Sequence, residues 1–387
     1  MRLAPLQDVV ALVRGATDCE LSDGALSPVR LAAWTRARQA DRWIELWSAH
    51  SLGVRLVTLT AATRVELVTT VTRMVPADAT EPPFPSSAVA TVDGAVVARA
   101  AITAGPLIVN LPDRTWREVD GPSVRLTFDL GDAEEEREVT LWLPHNGHAV
   151  IHEVSSDAPL APAPPSGRPL WVHHGSSVSH GLEAVDPLGP WPQQASRSLG
   201  LDLTNLAIAG NAQLDPFVAR TIAAHPADII TLKLGVNTVN VDSMRRRAFV
   251  PALHGFLDLV REGHPETPLV VLGPIACPAI EDTPGPTWKA ADGFYRGTPR
   301  EVVPGDGTLT LGLARELVRE TVESRMPSDP MLWSDDGLAL FGPADTDLLW
   351  DGLHPNQAGY DLIARRFADR AGDPSTPLGA AFALLRG

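Results

Sequence analysis

Cysteine, lysine and long apolar runs are nearly missing from this sequence. The two cysteines, Cys19 and Cys277, stand far apart, which excludes a disulfide framework and a cysteine-built zinc site. Lys233 and Lys289 are the only lysines, so almost all positive charge is arginine. The formal net charge is −15, whereas a partner of nucleic acid needs a basic surface; no nucleic-acid partner is expected. No apolar run approaches the roughly 20 residues of a membrane helix, and no membrane partner is expected either. The N-terminus, MRLAPLQDVVALVRGATDCE, makes a poor secretion signal, because Asp8 and Arg14 bracket only a short apolar stretch. A cytoplasmic location is the expectation.

What is present suits an ordinary globular protein. Of 387 residues, 44% are hydrophobic and 20% charged, which is material for two domains. The two halves differ in texture. Short runs rich in Val, Thr and Leu fall over residues 53–60, 64–75, 87–97, 123–130 and 136–143, separated by Gly, Pro, Asp and Asn. Such runs predict strands, and several in succession predict a β-sandwich. A helix is expected within 31–47. Residues 155–169, SSDAPLAPAPPSGRP, hold five prolines, the composition of an extended spacer. The domains expected are a sandwich over 1–160, resembling a carbohydrate-binding module, a Pro-rich linker over 161–169, and an α/β domain over 170–387.

From residue 170 apolar strands alternate with helices. Strands are expected at 170–174, 203–209, 228–234 and 268–273, and helices at 191–198, 216–224, 243–263, 309–325 and 357–370. This order predicts a parallel sheet covered on both faces, a three-layer α/β/α domain. The stretch between 273 and 306 is expected to be irregular. Reactive groups in such sheets collect at the carboxyl ends of the strands.

Four clusters fall at those places: Gly175-Ser-Ser-Val-Ser-His-Gly181, Asn205-Leu-Ala-Ile-Ala-Gly210, Gly235-Val-Asn237, and Asp351-Gly-Leu-His354-Pro355. They contain what acyl transfer needs. A serine hydroxyl requires an adjacent base. A histidine base requires a carboxylate on its other nitrogen to fix the tautomer. The tetrahedral intermediate requires donors aimed at its oxyanion. Ser177 is the candidate nucleophile, with His354 as base and Asp351 as orienter. The backbone N–H groups of Ser177 and Gly210 and the side-chain amide of Asn237 are candidate oxyanion donors.

These four blocks, in this order, resemble the SGNH/GDSL hydrolase superfamily, in its two-domain actinobacterial type. The resemblance covers about residues 168–370. It implies the same roles for Ser177, Gly210, Asn237, His354 and Asp351. It also implies an acyl-enzyme that forms on serine. The finer expectation is an acyltransferase that moves an acyl group such as salicyl from a thioester to a hydroxyl of a polyketide-type product. Acyl-coenzyme A would then be a co-substrate, with no bound cofactor. The alternative is an esterase of small or carbohydrate O-esters. A third possibility, from a different class, is a carbohydrate-binding protein with a degenerate hydrolase domain; the intact four blocks argue against it. Two departures stand out: Ser176 replaces the Asp of Gly-Asp-Ser, and Thr238 replaces the Asp after Asn237, which puts the support of Asn237 in doubt.

Other residues near these blocks carry weaker expectations. His174 and His180 are expected to line or rim the pocket. His173 with these two lacks the spacing of a metal site, and no metal is expected. Ser176 and Ser179 suit structural roles. Cys277 is expected to be buried and inert. Arg245-Arg-Arg247 suits a solvated helix face better than a coenzyme-phosphate contact. Residues 279–306, with Trp288, Phe294, Tyr295 and Arg296, are expected to form a lid or substrate wall.

Overall fold

Period-two alternation builds the N-terminal part of the chain. In the computed structural model, strand Arg64–Pro76 buries every second residue over most of its 13 positions, the pattern of a sheet with one face on a core. The structure describes all residues except Asp41, Asp78, 112–114, Glu301, Val302, Pro304 and Gly387. They fall into two compact units. The first is Met1–Arg36 with Asp41–Gly167 and Ala184–Pro190; the second is Ala37–Ala40 with Arg168–Glu183 and Trp191–Gly387.

The first unit holds two sheets. One runs in the order Trp116–Val119, Leu107–Asn110, Arg64–Pro76, His148–Ser156, Ala25–Val29, Asp18–Ser22, with Arg2–Ala4 and Val124–Asp129 attached to its central strands. The other runs Ala161–Pro162, Arg55–Thr60, Arg137–Trp142, Ser87–Val92, Ala95–Ala101, with Val13–Arg14 beside Arg55–Thr60. Leu67, Phe128 and Ile151 from the first sheet and Leu56, Ala90 and Leu141 from the second share one core. This is the expected β-sandwich. Each large apolar side chain buried there contributes about 1.5–3 kcal/mol.

Two expectations change in this unit. The helix expected within 31–47 is a tight 3-10 segment, Ala33–Arg38, and a helix, Arg42–Ala49. The proline-rich stretch is partly woven into the sandwich. Ala161–Pro162 pairs with Thr58 and Leu59, and the Thr58 and Thr60 hydroxyls donate to the carbonyls of Ala161 and Pro159 at 2.8 and 2.7 Å. An edge strand tolerates proline, since it needs only one side of the backbone for pairing.

In the second unit the strands are β1 (Leu170–His174), β2 (Asp202–Asn205), β3 (Ile229–Lys233), β4 (Leu269–Leu272) and β5 (Leu332–Asp335). They form one parallel sheet in the order β2-β1-β3-β4-β5. The helices are α1 (Ser177–His180), α2 (Trp191–Leu199), α3 (Pro216–Ala224), α4 (Val236–Asn240), α5 (Arg246–Gly263), α6 (Leu311–Arg325), α7 (Gly337–Leu340), α8 (Gln357–Gly372) and α9 (Pro377–Ala383). β1 shows both covering layers. Trp171 stacks on Phe367 of α8 at 5.2 Å, while His174 stacks on Phe256 of α5 at 6.0 Å. The domain is three-layer α/β/α, as expected. Strand order reverses between β1 and β3, so a crevice opens at their carboxyl ends.

Lys233 ends β3 and is 1% exposed. Burial, with Arg315 nearby and against the opposing pull of Cys277, pushes its ammonium down to about 7. The unfolded chain therefore takes up a proton that the folded chain refuses as pH falls from about 10 to about 7, and stability is lost over that window. Lys233→Met should raise stability at pH 7 by a few kcal/mol, roughly what this shift implies. It should also flatten the rise of Tm between pH 7 and 10. Calorimetry across that range checks both, and a lower Tm at pH 7 would refute the expectation.

Candidate active site

The nucleophile block turns directly from strand to helix. β1 ends at His174, and Ser176 precedes α1 in an extended conformation. Ser177 is the first residue of α1, so its N–H has no carbonyl within the helix to bond. It follows the carboxyl end of β1, and the residue is 8% exposed.

The base block is a tight loop before α8. The Asp351 Oδ1 accepts the N–H groups of Leu353 and His354 at 2.9 and 2.8 Å. This fixes the carboxylate, and its Oδ2 stands 2.8 Å from His354 Nδ1. His354 Nε2 stands 2.9 Å from the Ser177 hydroxyl. The structure thus joins Ser177, His354 and Asp351 in one chain of hydrogen bonds. Burial works to raise the Asp351 carboxyl, but the bonds from His354 and the backbone outweigh it and hold the carboxyl below its usual range. Burial works to lower His354, but the neighbouring Glu183 and Asp351 carboxyls outweigh it and raise the ring above its usual value. Such a chain can take a proton from serine and return it to a leaving group.

The second and third blocks are stitched to the first. Asn205 at the end of β2 donates to the Ser179 carbonyl at 3.1 Å and accepts the Ala207 N–H at 3.0 Å. Ile208 N–H donates to the Gly175 carbonyl at 2.9 Å. Gly210 has φ +71° with open space where a Cβ would stand, so its backbone conformation, rather than crowding, calls for glycine. Gly235 (φ +109°) breaks the chain before α4, and Asn237 follows in the first turn. The Asn237 Oδ1 accepts the Ala212 N–H at 2.9 Å, which turns the side-chain amine the other way. Among the described residues, the Thr238 side chain is not bonded to that of Asn237. Its hydroxyl donates back to the Gly235 carbonyl at 2.7 Å, and Ala212 supplies the hold on Asn237.

The neighbouring histidines are buried. His174 and His180 are 1% and 0% exposed. β1 is buried on both faces, so His174 is a packing residue, its Nδ1 bonded to the Leu206 carbonyl at 2.8 Å. His180 ends α1 beneath the surface. His173 sits between the hydroxyls of Thr231 and Ser179 at 2.7 and 2.8 Å. Among the described residues, no three His, Cys, Asp or Glu side chains gather as metal ligands. Cys277 is buried, its thiol pushed up to about 12 by burial, and donates to the Gly352 carbonyl at 3.4 Å. Arg245, Arg246 and Arg247 line a separate surface groove of about 550 Å³.

The stretch over 279–306 is less irregular than expected. It contains an antiparallel hairpin, Thr287–Lys289 with Tyr295–Gly297. Tyr295 N–H donates to the Asp351 carbonyl at 2.8 Å, and its ring meets the His354 ring edge-on at 5.8 Å. Phe294 packs against Gly352, where an added Cβ would come within 3.2 Å of its ring. Lys289 shares a hairpin face with Tyr295 and lies over the Trp350 ring at 5.4 Å. Trp288 and Arg296 pair with each other on the opposite face, so Trp288 is turned away from the Tyr295 face. Trp288, Phe294 and Trp350 stay 40–48% exposed.

Sequence reasoning missed Glu183 and Tyr360, which stand behind His354. The Tyr360 hydroxyl donates to Glu183 Oε2 at 2.6 Å. Nothing local to either residue signals this meeting, because Tyr360 lies in α8 and Glu183 just beyond α1.

Residues 174–362 match the model of the GDSL-like lipase/acylhydrolase family. No curated protein matches the chain. Among solved structures, the chain is similar to a salicylyl-acyltransferase from a tetracycline biosynthetic pathway. The TM-score is 0.75 at 26% identity, over 96% of this chain and 95% of that one. It is also similar in fold to a GDSL-like lipase from Bacteroides ovatus, with TM-score 0.63 and 19% identity over 96% and 97% of the two chains. An active-site mutant of a family two carbohydrate esterase from Clostridium thermocellum shares the fold as well, with TM-score 0.56 and 15% identity over 84% and 92%.

Proposed function

We propose that this chain is a serine acyl-enzyme acyltransferase. It takes an acyl group, aryl in character, from a thioester such as an acyl-coenzyme A and passes it to a hydroxyl of a small polyketide-type acceptor. The observation that carries the chemistry is the hydrogen-bonded chain from Ser177 through His354 to Asp351. Two observations favour transfer of an aryl group. One is the likeness to a salicylyl-acyltransferase along nearly the whole chain. The other is the wall of Phe294, Tyr295 and Trp350 around the His354 loop; aromatic faces suit a planar acyl group. The second function, an esterase of small or carbohydrate O-esters, is favoured by the lipase/acylhydrolase family match.

The mechanism has two halves. His354 Nε2 takes the Ser177 proton as Oγ attacks the donor carbonyl. The oxyanion is held by the N–H groups of Ser177 and Gly210 and by the Asn237 side-chain amine. The intermediate collapses, and His354 returns the proton to the departing thiolate. An acceptor hydroxyl then enters, gives its proton to His354 and attacks the acyl-serine; the proton returns to Ser177 as the ester leaves. Removing one oxyanion donor by Asn237→Ala should lower kcat about 100-fold or more with little change in KM. A loss below threefold would remove Asn237 from the oxyanion hole.

Intact-mass spectrometry tests the proposal. Wild type and Ser177→Ala are exposed to short aryl esters and to salicyl-coenzyme A. An adduct on wild type alone is the expected result. Its persistence until a hydroxyl acceptor is added marks a transferase, and decay within seconds in water marks an esterase. An adduct on both proteins would remove Ser177 from its role.

A further inference from the structure

The Nδ1 side of His354 faces more carboxylate than a three-residue chain requires. Asp351 supplies the first at 2.8 Å. Glu183 supplies a second, with Oε1 3.9 Å from the same nitrogen and a side chain only 6% exposed. At that distance Glu183 makes no good hydrogen bond to Nδ1, so its influence is that of a charge. Its other oxygen is anchored by the Tyr360 hydroxyl. A buried acid is costly without partners, and here the partners are a phenol and the imidazole.

We propose that Glu183 is a positioning residue for the reaction: held by Tyr360, it is a second counter-charge for the imidazolium that His354 becomes on taking the Ser177 proton. The proposal rests on His354 being the base. While the ring is neutral, little is gained from a second carboxylate. As the proton moves from Ser177 Oγ to His354 Nε2, the ring gains a full positive charge in a site shielded from water, where a nearby anion acts strongly. The other groups around the ring do not duplicate this. Asp351 is already bonded to it, Tyr295 is a phenol raised by burial and by the two acids, and Lys289 on the hairpin opposes the positive charge. Burial raises the Glu183 carboxyl, while His354 and Tyr360 pull it down. Glu183 therefore ionises most readily when His354 is charged.

Glu183→Gln tests this, because it keeps the shape and an acceptor for Tyr360 but removes the charge. The measurement is kcat/KM against pH with an aryl ester. Removing a neighbouring anion makes His354 easier to deprotonate, so the acid limb should move to lower pH by about half a unit or more. The plateau of kcat should fall about tenfold. Tyr360→Phe, which only makes Glu183 harder to ionise, should move the limb the same way by less. It decides the matter if the Gln variant fails to fold. Ser177→Ala, run beside them, separates the two ideas: if it stays active, the base assignment fails first. If it is dead but the acid limb of Glu183→Gln stays where it was, whatever its plateau, Glu183 is structural and the proposal is overturned.

Discussion

Ser177→Ala should lower kcat by about 10⁴-fold or more, the loss typical of removing a nucleophile from such a unit, and leave Tm within a degree or two. The change takes away one oxygen. That oxygen bonds His354 Nε2, whereas Ser176 is the residue that precedes α1, so the helix keeps its start. His354→Ala should cost a similar factor, because the two side chains act as one unit and their losses do not add. The double variant should be no worse than either single one. Single-turnover kinetics and far-UV circular dichroism check the pair of claims. A folded Ser177→Ala protein that keeps a tenth of wild-type turnover would end the acyl-serine mechanism.

How far these expectations were legible in the sequence depends on what fixed each element. Strand Leu170–His174 and helix Pro216–Ala224 stand where the apolar pattern puts them, because their burial is hydrophobic. β5 was missed for the opposite reason. Only Leu332 and Trp333 of its four residues are apolar, and Asp335 is held within the fold by an ion pair with Arg370. The four reactive blocks were legible because acyl transfer demands particular residue types at strand ends. The burial of His174 follows from its place on a central parallel strand covered on both faces, which nearness to Ser177 in sequence does not reveal. Glu183 was invisible: its partners His354 and Tyr360 come from a loop and a helix far along the chain, and no local pattern links them.

Asp351→Asn should cost about 10³–10⁴-fold in kcat, and the reason lies in how Asp351 spends its oxygens. Oδ1 accepts two backbone N–H groups and Oδ2 faces His354 Nδ1. An asparagine that keeps the two backbone bonds must turn its amine toward Nδ1. Two donors then meet, and the ring favours the tautomer with its proton on Nε2. That nitrogen faces Ser177 and can no longer accept the serine proton. The loop itself should persist, since its backbone bonds survive, so Tm should change little. Loss of the Asp351 charge should also move the acid limb of kcat/KM to lower pH, because Asp351 is among the groups that raise His354. Measured with Glu183→Gln, the variant divides labour between the two carboxylates. If Asp351 sets the tautomer and Glu183 supplies charge, Asp351→Asn loses about 10³–10⁴-fold on the plateau, while Glu183→Gln loses only about tenfold there and shifts the limb. A loss smaller than tenfold from Asp351→Asn would reverse the assignment. Glu183, 3.9 Å from Nδ1, would then be the carboxylate that orients the ring.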